Sequence, residues 1–421
     1  MKYEILAPAG DKDKLETAFH FGADACYFAG KRWGLRAFSD NFERDEMAQY
    51  ISYAHNLGRK CYITVNIQAH NADFEGLSDY LVYLESIHAD AIIVSDAGIM
   101  SLAKQVVPNM PIHLSTQASA SNKYSAKFWA DQGAKRIILA RELSIKEIKE
   151  IRDFLPPEVE LEAFVHGAMC ISYSGRCLLS NYLAGRDSNR GQCVQACRWE
   201  YYITEKTRAE KGEGEEYQIQ QDTHGTYILN SKDLCMIDHL DALIDAGVTS
   251  FKIEGRMKSS SYVATVVNAY RRALDQLLGD PQAYKNDTTR QQELEKSSHR
   301  LFTTGFYFGA QDKEELKTSY PVSSSDFIAK VLEDTDDEGF VKVEMRNRFK
   351  LGDKLEVLSP DKNFNQTFVV SKMFDAMGAP IEDVKDVQQI VRVYTPFKLH
   401  KLDILRRSKS SPEGGEEIIK N

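Results

Sequence analysis

The sequence predicts an α/β protein built on a (β/α)8 TIM-like barrel, and three observations carry that prediction. Eight short apolar runs recur, at 3–7, 25–29, 61–65, 91–94, 112–115, 136–140, 161–165 and 250–253. Each is rich in Val, Ile, Phe or Tyr, as strands buried on both faces should be. Amphipathic stretches such as 15–22 and 46–55 separate them, and these often end in steps such as Gly22-Ala, His88-Ala, Gly133-Ala and Ala246-Gly. Glycine after a helix is the usual C-terminal cap, so the pattern reads as repeated βα units. The first turn, Ala7-Pro-Ala-Gly10-Asp11, lacks G-x-G-x-x-G spacing, which discounts a nicotinamide cofactor on an open sheet.

The seventh unit breaks the rhythm. About eighty residues separate the seventh run from the eighth, far more than a βα connection needs. Long loops at the C-terminal ends of barrel strands are where barrels carry chemistry. This insertion holds Cys170, Cys177, Cys193, Cys197 and Cys235, five of the seven cysteines. Cys26 and Cys61 stand alone in apolar runs and read as small buried hydrophobes. The first four insertion cysteines, separated by six, fifteen and three residues, lie among Ser, Gly, Arg, Asn and Gln. Structural zinc favours tight pairs on both halves of the site, and only the second pair is tight. Uneven spacing suits an iron–sulfur cluster better, with zinc, disulfides or free thiols as the alternatives. Arg176, Arg186, Arg190 and Arg198 would offset the charge of four thiolates. Residues 205–216 read as a solvated, charged excursion of the same insertion.

Beyond the eighth run, 260–278 forms a long helix with Tyr262, Val266, Tyr270 and Leu274 on one face, ended by Gly279-Asp-Pro. A further helix is expected over 290–300. From 324 the texture alternates as strands do, with turn signals at 336–339 and 351–353, so a small all-β barrel domain follows. The expected organisation is a barrel with its cysteine cluster over 1–258, helices packing on it over 259–323, the β domain over 324–408 and a disordered tail over 409–421. The β domain ends in a basic cluster, Lys398, Lys401, Arg406, Arg407 and Lys409, a candidate for contacts with the phosphates of a nucleic acid. Dimerisation or simple stabilisation is its alternative role.

With 421 residues, 43% hydrophobic and 27% charged, the chain is that of an ordinary soluble protein of two domains. A formal charge of −9 argues against non-specific coating of nucleic acid but permits a local basic face. No signal peptide or membrane-length apolar run is read, so the expectation is a cytoplasmic protein with reduced thiols and no membrane.

The run Glu162-Ala-Phe-Val-His-Gly-Ala-Met-Cys170-Ile-Ser-Tyr-Ser-Gly-Arg-Cys177 resembles the signature of the collagenase-like peptidase family. Asn189-Arg-Gly-Gln-Cys193, Phe251-Lys-Ile-Glu-Gly-Arg256, Leu6-Ala-Pro-Ala-Gly10 and His224-Gly-Thr-Tyr-Ile-Leu-Asn230-Ser-Lys-Asp233 match it too. The likeness spans nearly the whole chain and is nearest to bacterial tRNA 5-hydroxyuridine hydroxylation proteins. It implies hydroxylation of the wobble uridine of tRNA, with prephenate as a small anionic co-substrate and oxygen donor. It also implies an iron–sulfur cluster, 4Fe-4S, on Cys170, Cys177, Cys193 and Cys197. Relatives that hydroxylate a quinone ring imply Cys235 as an alternative fourth ligand. The older family name implies a protease, and an iron–sulfur hydroxylase of another RNA or of a quinone-type ring is a further alternative. A homologous partner protein or a second copy is left open.

A protease needs a nucleophile–base pair or a water-activating metal, and neither H-E-x-x-H nor G-x-S-x-G occurs. A hydroxylase must hold a planar base and an anionic donor over the barrel mouth. Glu254 and Arg256, ending the eighth strand, are candidate catalytic residues, since Arg offers carboxylates a bidentate fork. A buried salt bridge is the bland reading of that pair. His166, before the first ligand, could orient a thiolate or simply be a satisfied polar residue. Arg36, Gln117, Asn230 and Lys232 are candidate substrate contacts, against surface packing or loop capping. Trp33 and Phe38, flanking Arg36, could stack on a base. An iron–sulfur scaffold or sensor would need the cluster alone, whereas these residues furnish a polar mouth as well.

Overall fold

The structure is a computed structural model and describes residues 3–36, 40–170, 172–199, 220–222, 225–227, 231–309 and 321–409. The excursion over 205–216, the candidate Asn230, the aromatic Phe38 and the tail beyond Lys409 lie outside the described residues. The chain divides into two compact units: Met1–Arg290 with His299–Pro321, and Gln291–Ser298 with Val322–Asn421.

In the first unit the eight apolar runs form parallel strands. These are β1 (Glu4–Pro8), β2 (Ala25–Phe28), β3 (Lys60–Val65), β4 (Ala91–Val94), β5 (Ile112–Leu114), β6 (Arg136–Ile138) and β7 (Glu160–Ala168). The insertion then carries the hairpin β8 (Gln220–Asp222) and β9 (Gly225–Tyr227) and the short strand β10 (Asp233–Cys235), before β11 (Ser250–Ile253). Successive barrel strands pair in order, and β11 pairs with both β1 and β7, which closes the barrel.

Six helices fill the first six connections: α1 (Lys12–His20), α2 (Arg44–Asn56), α3 (Leu77–Ser86), α4 (Ala97–Val106), α5 (Lys123–Asp131) and α6 (Ile145–Phe154). Their starts follow from local chemistry. Asp11, Asp96 and Asn122 side chains accept from backbone N–H groups of the first turn, and Ser144 with Glu147 makes a reciprocal capping box. Their ends use the steps read from the sequence: Gly22 and Gly133 take φ of 99° and 100°, and His88 adopts the left-handed region at 59°. A short helix α7 (Leu179–Ala184) lies within the insertion, α8 (Leu240–Asp245) precedes β11, and α9 (Ser260–Gly279) buries Tyr262, Val266, Tyr270 and Leu274 as its periodicity requires. The helix expected over 290–300 is shorter, Arg290–Leu294.

Alternation along the strands points one set of side chains into the barrel. At its N-terminal end these are charged. Arg136 reaches Glu4 at 2.6 Å and Glu162 at 3.0 Å, while Lys252 meets Glu162 at 2.7 Å. Tyr62 donates to Glu4 at 2.7 Å, and Ser250 bonds both carboxylates. Glu162 has no exposed surface, and the cations Arg136 and Lys252 both face it. This floor lies beneath the pocket at the C-terminal ends of the strands.

One irregularity redirects a predicted residue. Between Lys252 and Ile253 the register of β11 on β7 jumps from Phe164 to His166, leaving Val165 as a bulge. Without it, the alternation Glu162, Phe164, His166 would aim His166 inward. Instead its ring packs among Tyr262, Tyr270 and Phe302.

The second unit is a curled antiparallel sheet of seven strands, a small barrel-like domain. Inward-facing Ile328, Val341, Val343, Val357, Val391, Val393 and Leu405 form its core. Much of its basic end is neutralised. Arg406, 2% exposed, meets Glu293 and Glu356 each at 2.6 Å, and Arg407 meets Asp353 at 2.9 Å. Those two arginines therefore serve the domain's own carboxylates, which weakens the case for them as a phosphate-binding surface.

Glu162→Ala should destabilise the first unit by about 3–5 kcal/mol, because it leaves Lys252 buried without its carboxylate. Urea unfolding followed on the barrel signal measures it; a loss below about 1 kcal/mol would contradict the assigned role of the floor.

Candidate functional site

The C-terminal ends of the strands converge on two continuous pockets. The inner one opens onto the barrel axis, walled by Tyr27, Thr64, Ile93, Ser115, Ile138 and Phe164 from six strands or strand ends. The outer one lies under the insertion and is lined by Cys170, Cys177, Cys193 and Cys197. Arg36, Thr116, Gln117, Arg141, Ser188 and Cys193 line both, so the thiols and the barrel mouth form one site.

Two glycines let the insertion lie directly on the barrel. A Cβ on Gly175, at φ +73°, would sit 2.0 Å from the Gln117 carbonyl oxygen. On Gly191, at φ +89°, it would lie 3.2 Å from Arg36 N. Both the conformation and the close backbone approach need glycine. Polar clamps hold the rest. Arg190 grips Asp73 at 2.6 and 3.0 Å, Ser174 N donates to Glu142 at 2.8 Å, and Arg198 donates to the Met169 carbonyl at 3.2 Å.

The four thiols sit in unlike environments. Burial would raise Cys177, but hydrogen bonds from Ser172, Leu179, Ser188 and Ser180 bring it below the ordinary thiol range. At Cys193 the sulfur receives the Gln195 N–H at 3.4 Å and the Ser180 hydroxyl at 3.7 Å. Burial pushes Cys170 and Cys197 up, with Arg141 and Arg198 respectively acting against it. Among the described residues, no group of His, Cys, Asp or Glu gathers tightly enough to hold a single metal ion. Four free thiols lining one pocket, with donors and guanidiniums to offset the charge of thiolates, fit a cluster of several metal atoms better than a single ion.

Cys235 lies elsewhere. It is buried on β10, opposite His166, with the Tyr270 hydroxyl 4.0 Å from its sulfur, and it lines neither pocket.

Around the inner pocket the charges interlock. Arg36, left-handed at φ 66°, reaches Glu254 at 2.9 Å. Burial would raise Glu254, yet Arg36, Arg141 and Arg256 more than offset it and hold the carboxyl at about 2. It is therefore ionised at neutral pH and neither donates nor abstracts a proton there. Its role is to position Arg36. Arg256 is 3% exposed, donates to Thr64 at 3.4 Å and to the Asn41 side chain, and leaves its Nε with no acceptor among the described residues. Burial pushes its pKa down to about 10, so it stays cationic. Arg141 lies 4.0 Å above the Phe164 ring and donates to the Ala168 carbonyl at 2.8 Å.

The structure thus brings together Arg36, Gln117, Glu254, Arg256 and the four thiols. It places others apart. His166 lines neither pocket, and burial drives its pKa down to about 3, so it is neutral in the core. Lys232 is buried beside Ser231, which bonds Met169, and it also lines neither pocket. Trp33 is 7% exposed, stacked 4.8 Å from Tyr80 with its N–H on the Asp73 carbonyl, which removes it as a platform for a base. Arg141 was missed, although its place just after the sixth apolar run is the same signal that marked Arg256. Lys252, on the barrel axis between the charged floor and Glu254, was missed too.

Residues 10–317 match peptidase family U32, and residues 323–406 match the peptidase family U32 C-terminal domain. The chain belongs to peptidase family U32. Among U32 relatives, tRNA hydroxylation protein P1 of Bacillus subtilis is 40% identical over 418 residues, 97% of this chain and 95% of that one. The tRNA hydroxylation protein P of Escherichia coli is 39% identical over 415 residues, 90% of each. The 23S rRNA 5-hydroxycytidine C2501 synthase of Escherichia coli is 37% identical over 277 residues, 66% of this chain and 40% of that one.

The depressed Glu254 sets a pH signature for this U32 site. Its contribution is fully present above the ordinary carboxyl value of 4.5 and is lost as pH falls through its folded value of about 2. Glu254→Gln, with nothing to titrate, should give a stability curve flatter than wild type over that window by on the order of 3 kcal/mol. Urea unfolding at about pH 6 and about pH 3 should read about 2 kcal/mol of it, because pH 3 still lies above the folded value; parallel curves would show that Glu254 is not held down.

Proposed function

We propose that this U32 protein hydroxylates a pyrimidine base in RNA, forming 5-hydroxyuridine at the wobble position of tRNA with prephenate as oxygen donor. The observation that carries the reading is the pairing of two chemistries in one cavity. A buried arginine, Arg256, lines the cavity on the barrel axis beside Arg36 and Arg141, and the same space runs on to four free thiols. The names of the relatives, which specify hydroxylation of tRNA and rRNA, support the RNA part of the reading.

Each residue has a definite task in that scheme. Arg256, with Arg36 and Arg141 beside it, holds the carboxylates of the small co-substrate, a pairing that guanidinium geometry favours. Glu254 fixes Arg36 so that the cations converge despite their mutual repulsion. Asn66, Ser115 and Gln117 offer donors and acceptors for the edge of a uracil, and Phe164 and Ile138 give it an apolar wall. Cys170, Cys177, Cys193 and Cys197 would hold an iron–sulfur cluster, which when bound supplies one-electron chemistry beside the ring. The insertion covers this space and limits water near the reacting base.

A peptidase is less well supported. Among the described residues no histidine lines either pocket, and the Ser115 hydroxyl is engaged by Asn66 and the Gln117 N–H. No described helix is long and apolar enough to cross a membrane.

Nucleoside analysis of RNA from a strain lacking the gene tests the proposal. The hydroxylated pyrimidine nucleoside should disappear, return with the wild-type gene and stay absent with Cys193→Ala. Anaerobically purified protein should carry iron and sulfide that Cys197→Ala loses and Cys235→Ala keeps. Unchanged nucleosides, or full metal content after Cys197→Ala, would overturn the function or the ligand set respectively.

A further inference from the structure

The insertion does more on its outer side than cover the thiols. Large apolar side chains are normally scattered singly on a protein surface. Here Tyr173, Leu178, Tyr182, Leu183 and Trp199 are 65%, 69%, 88%, 43% and 42% exposed, all within thirty residues of chain. They share one scaffold. The helix α7 buries Ser180 against Cys193 and packs on the turn Ala196–Arg198 that precedes Trp199. Leu178 and Tyr182 lie four residues apart, hence on one face of that helix, and that face is bare. Tyr173 lines the outer pocket itself, so the aromatic surface runs down to its mouth.

Charge decides what this surface fits. Cys170 to Trp199 contains Arg176, Arg186, Arg190 and Arg198 against one carboxylate, Asp187, in a chain whose net charge is −9. Arg190 is committed to Asp73, while Arg176 is exposed and Arg198 lines the outer pocket. Exposed aromatic rings interleaved with arginines, on a rigid platform beside a cavity, suit an unpaired polyanionic strand. Its bases stack on the rings and its phosphates meet the guanidiniums.

We propose that the outer face of the cysteine insertion is a stacking platform for unpaired RNA, with Tyr173, Tyr182 and Trp199 receiving the nucleotides that flank the base entering the barrel. The inference rests on the RNA reading above and adds to it where the strand lies and what form it takes. Flanking bases held on the same loop that carries the thiols keep the target nucleotide over the pocket. The platform selects a loop over a duplex, since paired bases do not offer their faces.

The test uses the full-length protein, purified anaerobically, and two synthetic probes of equal length: an RNA hairpin whose loop carries a uridine, and a blunt RNA duplex. Wild type should bind the hairpin more tightly than the duplex. Tyr173→Ala with Tyr182→Ala should weaken hairpin binding by about tenfold or more, with Tyr173→Phe and Tyr182→Phe restoring it, because a phenyl ring still stacks. The hairpin should quench part of the tryptophan fluorescence of wild type, and that part should be absent in Trp199→Phe; equal quenching in both proteins would remove Trp199 from the platform. Unaltered iron and sulfide content in the alanine variant shows that the insertion has kept its structure. If wild type binds no RNA, the RNA reading itself fails. If it binds the hairpin and the alanine variant binds equally well, the platform alone is refuted. Loss of a co-purifying protein in that variant, with RNA binding intact, would assign the surface to a protein partner and also refute it.

Discussion

The contact between Arg36 and Glu254 at 2.9 Å organises the active end of this barrel. It joins the loop after the second strand to the end of the eighth. An arginine buried alone would be costly, and three guanidiniums around one cavity would repel each other. Glu254, held at about 2, is the charge that lets Arg36, Arg141 and Arg256 share the space. The same logic governs the floor, where Glu162 sits between Arg136 and Lys252. Ionic groups occupy both ends of the barrel interior. At the floor they are closed by mutual bonding, and at the mouth Arg36, Arg141 and Arg256 line the cavity.

On this base the insertion brings a second chemistry. Gly175 and Gly191 allow its backbone to touch Gln117 and Arg36, so the thiols lie within the same cavity as the cations. A side chain at either glycine would lift the loop and part the two. Neither set alone distinguishes a hydroxylase from a redox scaffold or an anion-binding barrel. Their shared walls are the feature on which the hydroxylase proposal rests.

Much of this was legible in the sequence. Eight apolar runs of strand length with glycine-terminated helices between them translate directly into a closed barrel, because periodicity and caps are local signals. The four clustered cysteines stood out because thiols in a polar, Arg-rich loop have no packing explanation. His166 misled because a single-residue bulge at Val165 inverts its direction, and no residue pattern announces a bulge in a buried strand. Trp33 and Arg406 look like surface groups in sequence, yet each is claimed by a partner far along the chain, Tyr80 and Glu293. Arg141 was overlooked although it follows a strand just as Arg256 does. Its importance appears only when the insertion folds back over it.

The most direct test of the central claim is calorimetric titration of the purified protein with prephenate, in wild type, Arg256→Lys and Arg256→Ala. The account predicts one binding site, weakened about tenfold or more by Arg256→Lys, since an ammonium does not reproduce the guanidinium fork, and further by Arg256→Ala. Equal affinity in all three proteins would contradict the claim that the Arg256 guanidinium at the barrel mouth is the anion-binding group.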